Sequence, residues 1–124
     1  MFQTFEDLEV WQLARALVKD VYLLTNKTEF QKDFGLKDQV RRSAVSIMAN
    51  IAEGFERKTQ KEFVSFLFIA KGSCGELRSH FYVAYDLDYI DLEVFNKVQH
   101  QTISISKSLG GFIKYLNSSS NNHK

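Results

Sequence analysis

A chain of 124 residues, 44% apolar and without proline, has room for one domain whose core needs neither metal nor disulfide. Proline costs about 3 kcal/mol inside a helix and punctuates β-rich chains, so its absence argues for long uninterrupted helices and an all-α class. Sixteen basic against fifteen acidic residues exclude a global field that would announce nucleic acid or an acidic membrane, and the single cysteine, Cys74, excludes a disulfide framework.

The opening MFQTFEDLEV is acidic and lacks the basic and apolar regions of a signal peptide. The longest apolar stretch, around Phe63 to Ala70, falls well short of the roughly 20 residues of a membrane span. A cytoplasmic protein that does not enter a membrane is expected. Helix 1 is predicted from Phe5 to Thr25 behind Thr4 as N-cap, with Val10, Ala14, Leu17, Val21 and Leu24 as its seam. Asn26 to Gly35 is polar apart from Phe30 and Phe34, and reads as a connecting loop. Helix 2 follows from Leu36 to Arg57, with Leu36, Val40, Ala44, Ile47, Ile51 and Phe55 on one face. Thr59 and Glu62 form a capping box that restarts the chain as helix 3, from Gln60 to Tyr89. Its seam Phe63, Leu67, Ala70, Cys74, Leu77, Phe81 and Ala84 steps alternately by four and three.

Asp91 caps helix 4, whose Phe95, Val98, Thr102, Ile105, Leu109, Phe112 and Leu116 keep the same alternation. Residues 117–124, NSSSNNHK, have nothing to bury and read as a disordered tail behind a domain of residues 1–116. Four helices with short connections predict an antiparallel up-down-up-down four-helix bundle.

A second stripe accompanies the seams of helices 2 and 3. Arg42, Ser46, Asn50, Glu53 and Arg57 share one face of helix 2, and Ile69, Gly72, Ser73, Glu76 and His80 answer from helix 3. Arg42, Ser46, Asn50, Glu53, Ser73 and Glu76 are expected to form a structural polar network that fixes helix register, with Arg42 set against Glu76. The small residues among them would let a neighbouring backbone approach closely. An enzyme would use Glu53 and Glu76 as paired carboxylates with His80 as base or metal ligand. Di-metal bundles need Glu-x-x-His on two helices, whereas Glu76 and His80 are four apart and have no second copy. No catalytic residue, metal or cofactor is therefore assigned, and Cys74 on the apolar seam reads as a buried hydrophobe.

Leu36 to Lys61 carries six basic residues, Lys37, Arg41, Arg42, Arg57, Lys58 and Lys61, against Asp38, Glu53 and Glu56. These six are the nucleic-acid-binding candidates, since such a patch can neutralise phosphates. Eleven Phe and five Tyr exceed what one thin core holds. Contiguous rings outside the seams, with Gly72 and Gly75 in mid-helix, point to self-association.

F-x-D-L-E-V-W-Q-x-A from Phe5, F-G-L-K-D-Q-V-R-R-S-A-V-S-I-M-A-N-I-A-E-G from Phe34 and F-L-F-I-A-K-G-S-C-G-E-L from Phe66 carry a family resemblance. The chain resembles the bacterial four-helix-bundle proteins that include those encoded by intervening sequences within 23S rRNA genes. The resemblance implies a small cytosolic bundle assembling into a ring, a pentamer, with no enzymatic activity and no small-molecule substrate. A related group, the accessory proteins of diversity-generating retroelements, forms pentameric bundles that bind a reverse transcriptase and nucleic acid through basic surfaces. Arg42, Ser46, Asn50, Glu53, Gly54, Gly72, Ser73 and Glu76 are the signature residues carried over. The expected function is that of a non-enzymatic homo-oligomer associated with RNA; the alternative is a protein-interaction scaffold that binds no nucleic acid.

Overall fold

The computed structural model describes residues 2–122 and is all-helical, with four long helices packed as a bundle. They are α1 (Glu9–Thr25), α3 (Phe34–Phe55), α4 (Gln60–Asp86) and α5 (Leu92–Asn122), with a five-residue α2 (Thr28–Lys32) between the first two. Contacts along each pair set direction. Ser43 meets Glu76 and Ser46 meets Ser73, so α3 and α4 run oppositely. Arg78 meets Gln99 while Gln60 reaches the Leu116 carbonyl, so α4 and α5 do as well. Contact faces join α1 to α3, α3 to α4, α4 to α5 and α5 to α1, which sets α1 across the core from α4.

The apolar seams supply the core as their spacing predicts. Ala14, Leu17, Val21, Val40, Ala44, Ile47, Ile51, Leu67, Ala70, Cys74, Leu77, Phe81, Ala84, Ile105 and Leu109 are all essentially inaccessible. Each fully buried Leu, Ile or Phe contributes about 1.5 to 3 kcal/mol, which makes these stripes the main stabilising term.

The helix ends depart from expectation in three places. Thr4 precedes a single 3-10 turn, Phe5–Asp7, where the Asp7 carboxylate accepts from the Gln3 and Thr4 amides at 2.9 and 3.1 Å. These two bonds hold the Asp7 carboxyl below its usual range. The chain is then extended at Leu8, which turns its side chain into the core before α1 begins. The expected loop contains α2, because Phe30 is fully buried and holds that turn against Phe81 and Tyr89. Finally, α5 continues as helix through 117–122, where a disordered tail is expected. No proline or glycine follows Gly111, and helix extension adds one hydrogen bond per residue against propensity costs of at most about 0.7 kcal/mol. Leu116 is the last buried side chain among the described residues, and residues 123–124 lie outside them.

Thr59 and Asp91 cap as expected, accepting from the Glu62 and Val94 amides at 3.1 and 2.9 Å. At the end of α4 the Asp88 amide bonds the Tyr85 carbonyl and the Tyr89 amide bonds the Ala84 carbonyl, with Asp88 at φ 61°. This is a Schellman cap with a non-glycine residue in its left-handed position. Asp88→Gly is expected to stabilise the fold by about 0.5 to 1 kcal/mol, read as a higher urea midpoint at unchanged slope; a lower midpoint would contradict it.

Candidate functional site

The α3–α4 interface assembles part of the predicted polar stripe. Ser46 and Ser73 hydroxyls lie 2.9 Å apart, and the Asn50 amide donates to the Ser46 carbonyl and hydroxyl at 2.8 and 3.0 Å. Glu76 joins through a residue the pattern omitted, accepting from the Ser43 hydroxyl at 2.6 Å. Ser43 falls three after Val40 and four before Ile47, so its place on the buried seam is its sequence signal.

Arg42 and Glu53, also assigned to this network, are elsewhere. The expected pairing of Arg42 with Glu76 is not formed; Arg42 pairs with Asp38 at 2.8 Å, and Glu53 with Arg57 at 2.9 Å. Both are exposed i,i+4 pairs, reached within one helix turn without crossing to α4. Glu53 lies level with residue 66 of α4, about 15 Å along the axis from Glu76, so the two carboxylates do not form an acid/base pair. His80 is half-buried with Nε2 unpartnered. Among the described residues no cluster of three or more His, Cys, Asp or Glu could hold a metal ion. Burial pushes the Cys74 thiol up to about 12, leaving it neutral and without nucleophilic character.

The glycines divide unexpectedly. A Cβ on Gly54 would lie 2.6 Å from the Phe66 Cβ and 3.2 Å from the Phe63 carbonyl oxygen, so it is Gly54 that permits the close crossing of α3 and α4. Gly72 and Gly75 are exposed, and a Cβ added at either would meet nothing within 4 Å, so nothing among the described residues uses the close approach expected there.

The six basic candidates do not form one patch. Lys37, Arg41 and Arg42 sit near the start of α3, while Arg57, Lys58 and Lys61 surround the α3–α4 turn; Lys37 and Arg57 are about 30 Å apart along the axis. Lys37 lies over the Phe34 ring at 5.0 Å. Arg41 is a brace: its guanidinium donates to Thr25 Oγ1 at 2.8 Å and Asn26 Oδ1 at 2.9 Å, and covers the Tyr22 ring at 4.3 Å. Arg57 covers Phe66 at 4.9 Å while pairing with Glu53. Lys58 and Lys61 are exposed and form no ion pair within 4.0 Å among the described residues. An open groove of about 740 Å³ along the first half of α3 is lined by Tyr22, Asp38, Arg41, Arg42, Ser46 and Glu76. Its two guanidiniums face two carboxylates, so it carries little net field.

No helix among the described residues is long and apolar enough to cross a membrane.

A family model described as 23S rRNA-intervening sequence protein matches residues 6–111. Among solved structures, a protein of unknown function from the S23 ribosomal protein family of Bacteroides thetaiotaomicron is similar at 25% identity and a TM-score of 0.79. The match covers 85% of this chain and 95% of that one. No curated protein matches the chain significantly.

Proposed function

Since the chain belongs to the 23S rRNA-intervening sequence protein family, we propose that it is a non-enzymatic, homo-oligomeric bundle of the cytoplasm that associates with RNA. The observation that carries the RNA reading is the α3–α4 turn, where Lys58 and Lys61 stand exposed beside Arg57 with no ion pair among the described residues. The exposed Arg57–Glu53 pair is worth at most about 1 kcal/mol, so a phosphate can take the place of Glu53. Lys37 and Arg42 are secondary phosphate contacts on this reading, and Arg41 serves mainly to hold α1 against α3.

Fluorescence anisotropy with a structured RNA at about 50 and about 200 mM salt tests it. Affinity should fall steeply with salt, and the double variant Lys58→Gln/Lys61→Gln should reduce the slope by about 1.5. Absent or salt-indifferent affinity for structured and single-stranded RNA alike would sink the proposal. For assembly, the supporting observation is the outer surface of α4, where Ile69 and Val83 are exposed apolar side chains and a Cβ on Gly72 would meet nothing within 4 Å. A light-scattering mass equal to one chain at micromolar concentration would overturn the oligomer.

The alternative, a protein-interaction scaffold, is favoured by Leu23, Phe34, Leu87 and Leu92, exposed apolar side chains gathered at the opposite end of the bundle. That reading requires no RNA affinity at either salt concentration.

A further inference from the structure

The seam between α4 and α5 carries a stripe of charge and rings drawn from residues distant in sequence. Lys61 and Phe68 line one depression of about 310 Å³ with Asn117 of α5. Further along α4, Lys71 reaches over α5, its Cε 3.6 Å from where a Cβ on Gly110 would stand. Further still, Arg78 and Gln99 bond each other across the seam, and the Tyr82 ring packs edge-on to Phe95 with centroids 5.0 Å apart. Phe68 and Tyr82 are nevertheless 56% and 52% exposed. From α5, Lys107 and Lys114 flank Gly110 at three before and four after, on the same side of that helix, and both are exposed.

Carboxylates are sparse on this surface, the nearest along the Tyr82 face of α4 being Asp86, one turn past that ring. Between Glu62 and Glu76 α4 has no acidic residue, and none follows Glu93 in the sequence. The near-neutral total charge therefore hides an electropositive face about 30 Å long from Lys61 to Tyr82, with an exposed ring toward each end.

We propose that the α4–α5 seam is a binding track for single-stranded RNA, with bases stacked on Phe68 and Tyr82 and phosphates held by Lys61, Lys71, Lys107 and Lys114. This deepens the RNA reading and rests on it. Aromatic faces interleaved with cations suit an open strand, whose bases are free to stack, and a track of this length lies within site sizes of about 4 to 16 nucleotides. A duplex keeps its bases stacked on one another and offers the rings nothing.

The test measures anisotropy of two fluorescein-labelled RNAs with the full chain: an oligouridine of about 12 nucleotides and a fully paired hairpin. The oligouridine should bind more tightly than the hairpin. Phe68→Ala should weaken it about tenfold, and Lys71→Gln/Lys107→Gln should lower its salt slope by about 1.4. Phe68→Trp should retain affinity, with indole fluorescence quenched on binding. All these side chains are exposed, and circular dichroism melts unchanged from wild type would separate lost binding from lost fold. Oligouridine binding that survives Phe68→Ala and Lys71→Gln/Lys107→Gln but is lost in Arg57→Gln/Lys58→Gln would overturn the track and leave the RNA reading standing. Tighter binding of the hairpin overturns the single-strand assignment. No affinity for either RNA overturns both readings.

Discussion

Gly54→Ala is expected to lower the melting temperature by about 10 °C, whereas Gly72→Ala raises it by about 3 to 5 °C. Both glycines lie within long helices, where alanine is favoured by about 1 kcal/mol, so intrinsic propensity predicts the same sign for both. Their surroundings differ. At Gly54 the added methyl would stand 2.6 Å from the Phe66 Cβ and 3.2 Å from the Phe63 carbonyl oxygen. Neither is the movable end of a side chain, so α3 and α4 must separate near their turn. Overpacking of this kind costs about 1 to 3 kcal/mol or more, which exceeds the propensity gain. At Gly72 nothing stands within 4 Å, and the gain is unopposed within one chain. Thermal melts of both variants decide the matter. A stabilised Gly54→Ala would mean that the helices do not cross so closely. Light scattering on Gly72→Ala adds a second reading: a drop in mass with a preserved monomer fold would locate the association face on α4.

Asp33→Ala is expected to cost about 2 kcal/mol, the upper part of the range for a lost helix N-cap. One Asp33 oxygen accepts from the Leu36 amide at 3.1 Å, capping α3, and the other accepts from the Tyr89 hydroxyl at 2.9 Å. The carboxylate thus joins the start of α3 to the α4–α5 turn. Asp33→Asn keeps an acceptor for Leu36 and should lose much less. The Tyr89 bond also predicts a pH dependence. Hydrogen bonding to Asp33 raises the phenol above its ordinary value near 10, because the bond needs the protonated form. A group with a raised folded-state value contributes stability that is complete below its unfolded value and lost as pH rises through the folded one. The stability difference between wild type and Tyr89→Phe should therefore be flat from neutral pH to about 9.5 and shrink above 10. A difference that grows in alkali would show that the hydroxyl is not the donor.

The four long helices and their buried stripes were legible because a heptad-like seam constrains many residues at once, as the run from Phe63 to Ala84 illustrates. Short elements were not. Five residues cannot display a helical period, so α2 depends on one buried ring, Phe30, whose docking surface comes from Phe81 and Tyr89 far along the chain. Thr4 followed by acids marked a helix start, but the signal belonged to a 3-10 turn, because the core draws Leu8 inward and breaks the helix there. In the polar stripe, residue types were readable and partners were not. Glu76 took Ser43 rather than Arg42, a choice set by the register of two helices and by the nearer Asp38. Charge behaved alike: six cations close in sequence occupy two ends of α3, while lysines of α4 and α5 that are distant in sequence share one seam.

The smallness of α2 turns it into a gauge of the end of the molecule. A five-residue segment is far below the length at which a helix persists in water, so its peptide bonds stay closed only while Phe30 is docked. Hydrogen exchange of the amides in residues 30–33 should then report a cooperative opening of that whole end rather than fraying of one turn. The bond from Tyr89 to Asp33 spans 56 residues of sequence, so one such opening would release the α1–α3 connection and the α4–α5 turn together.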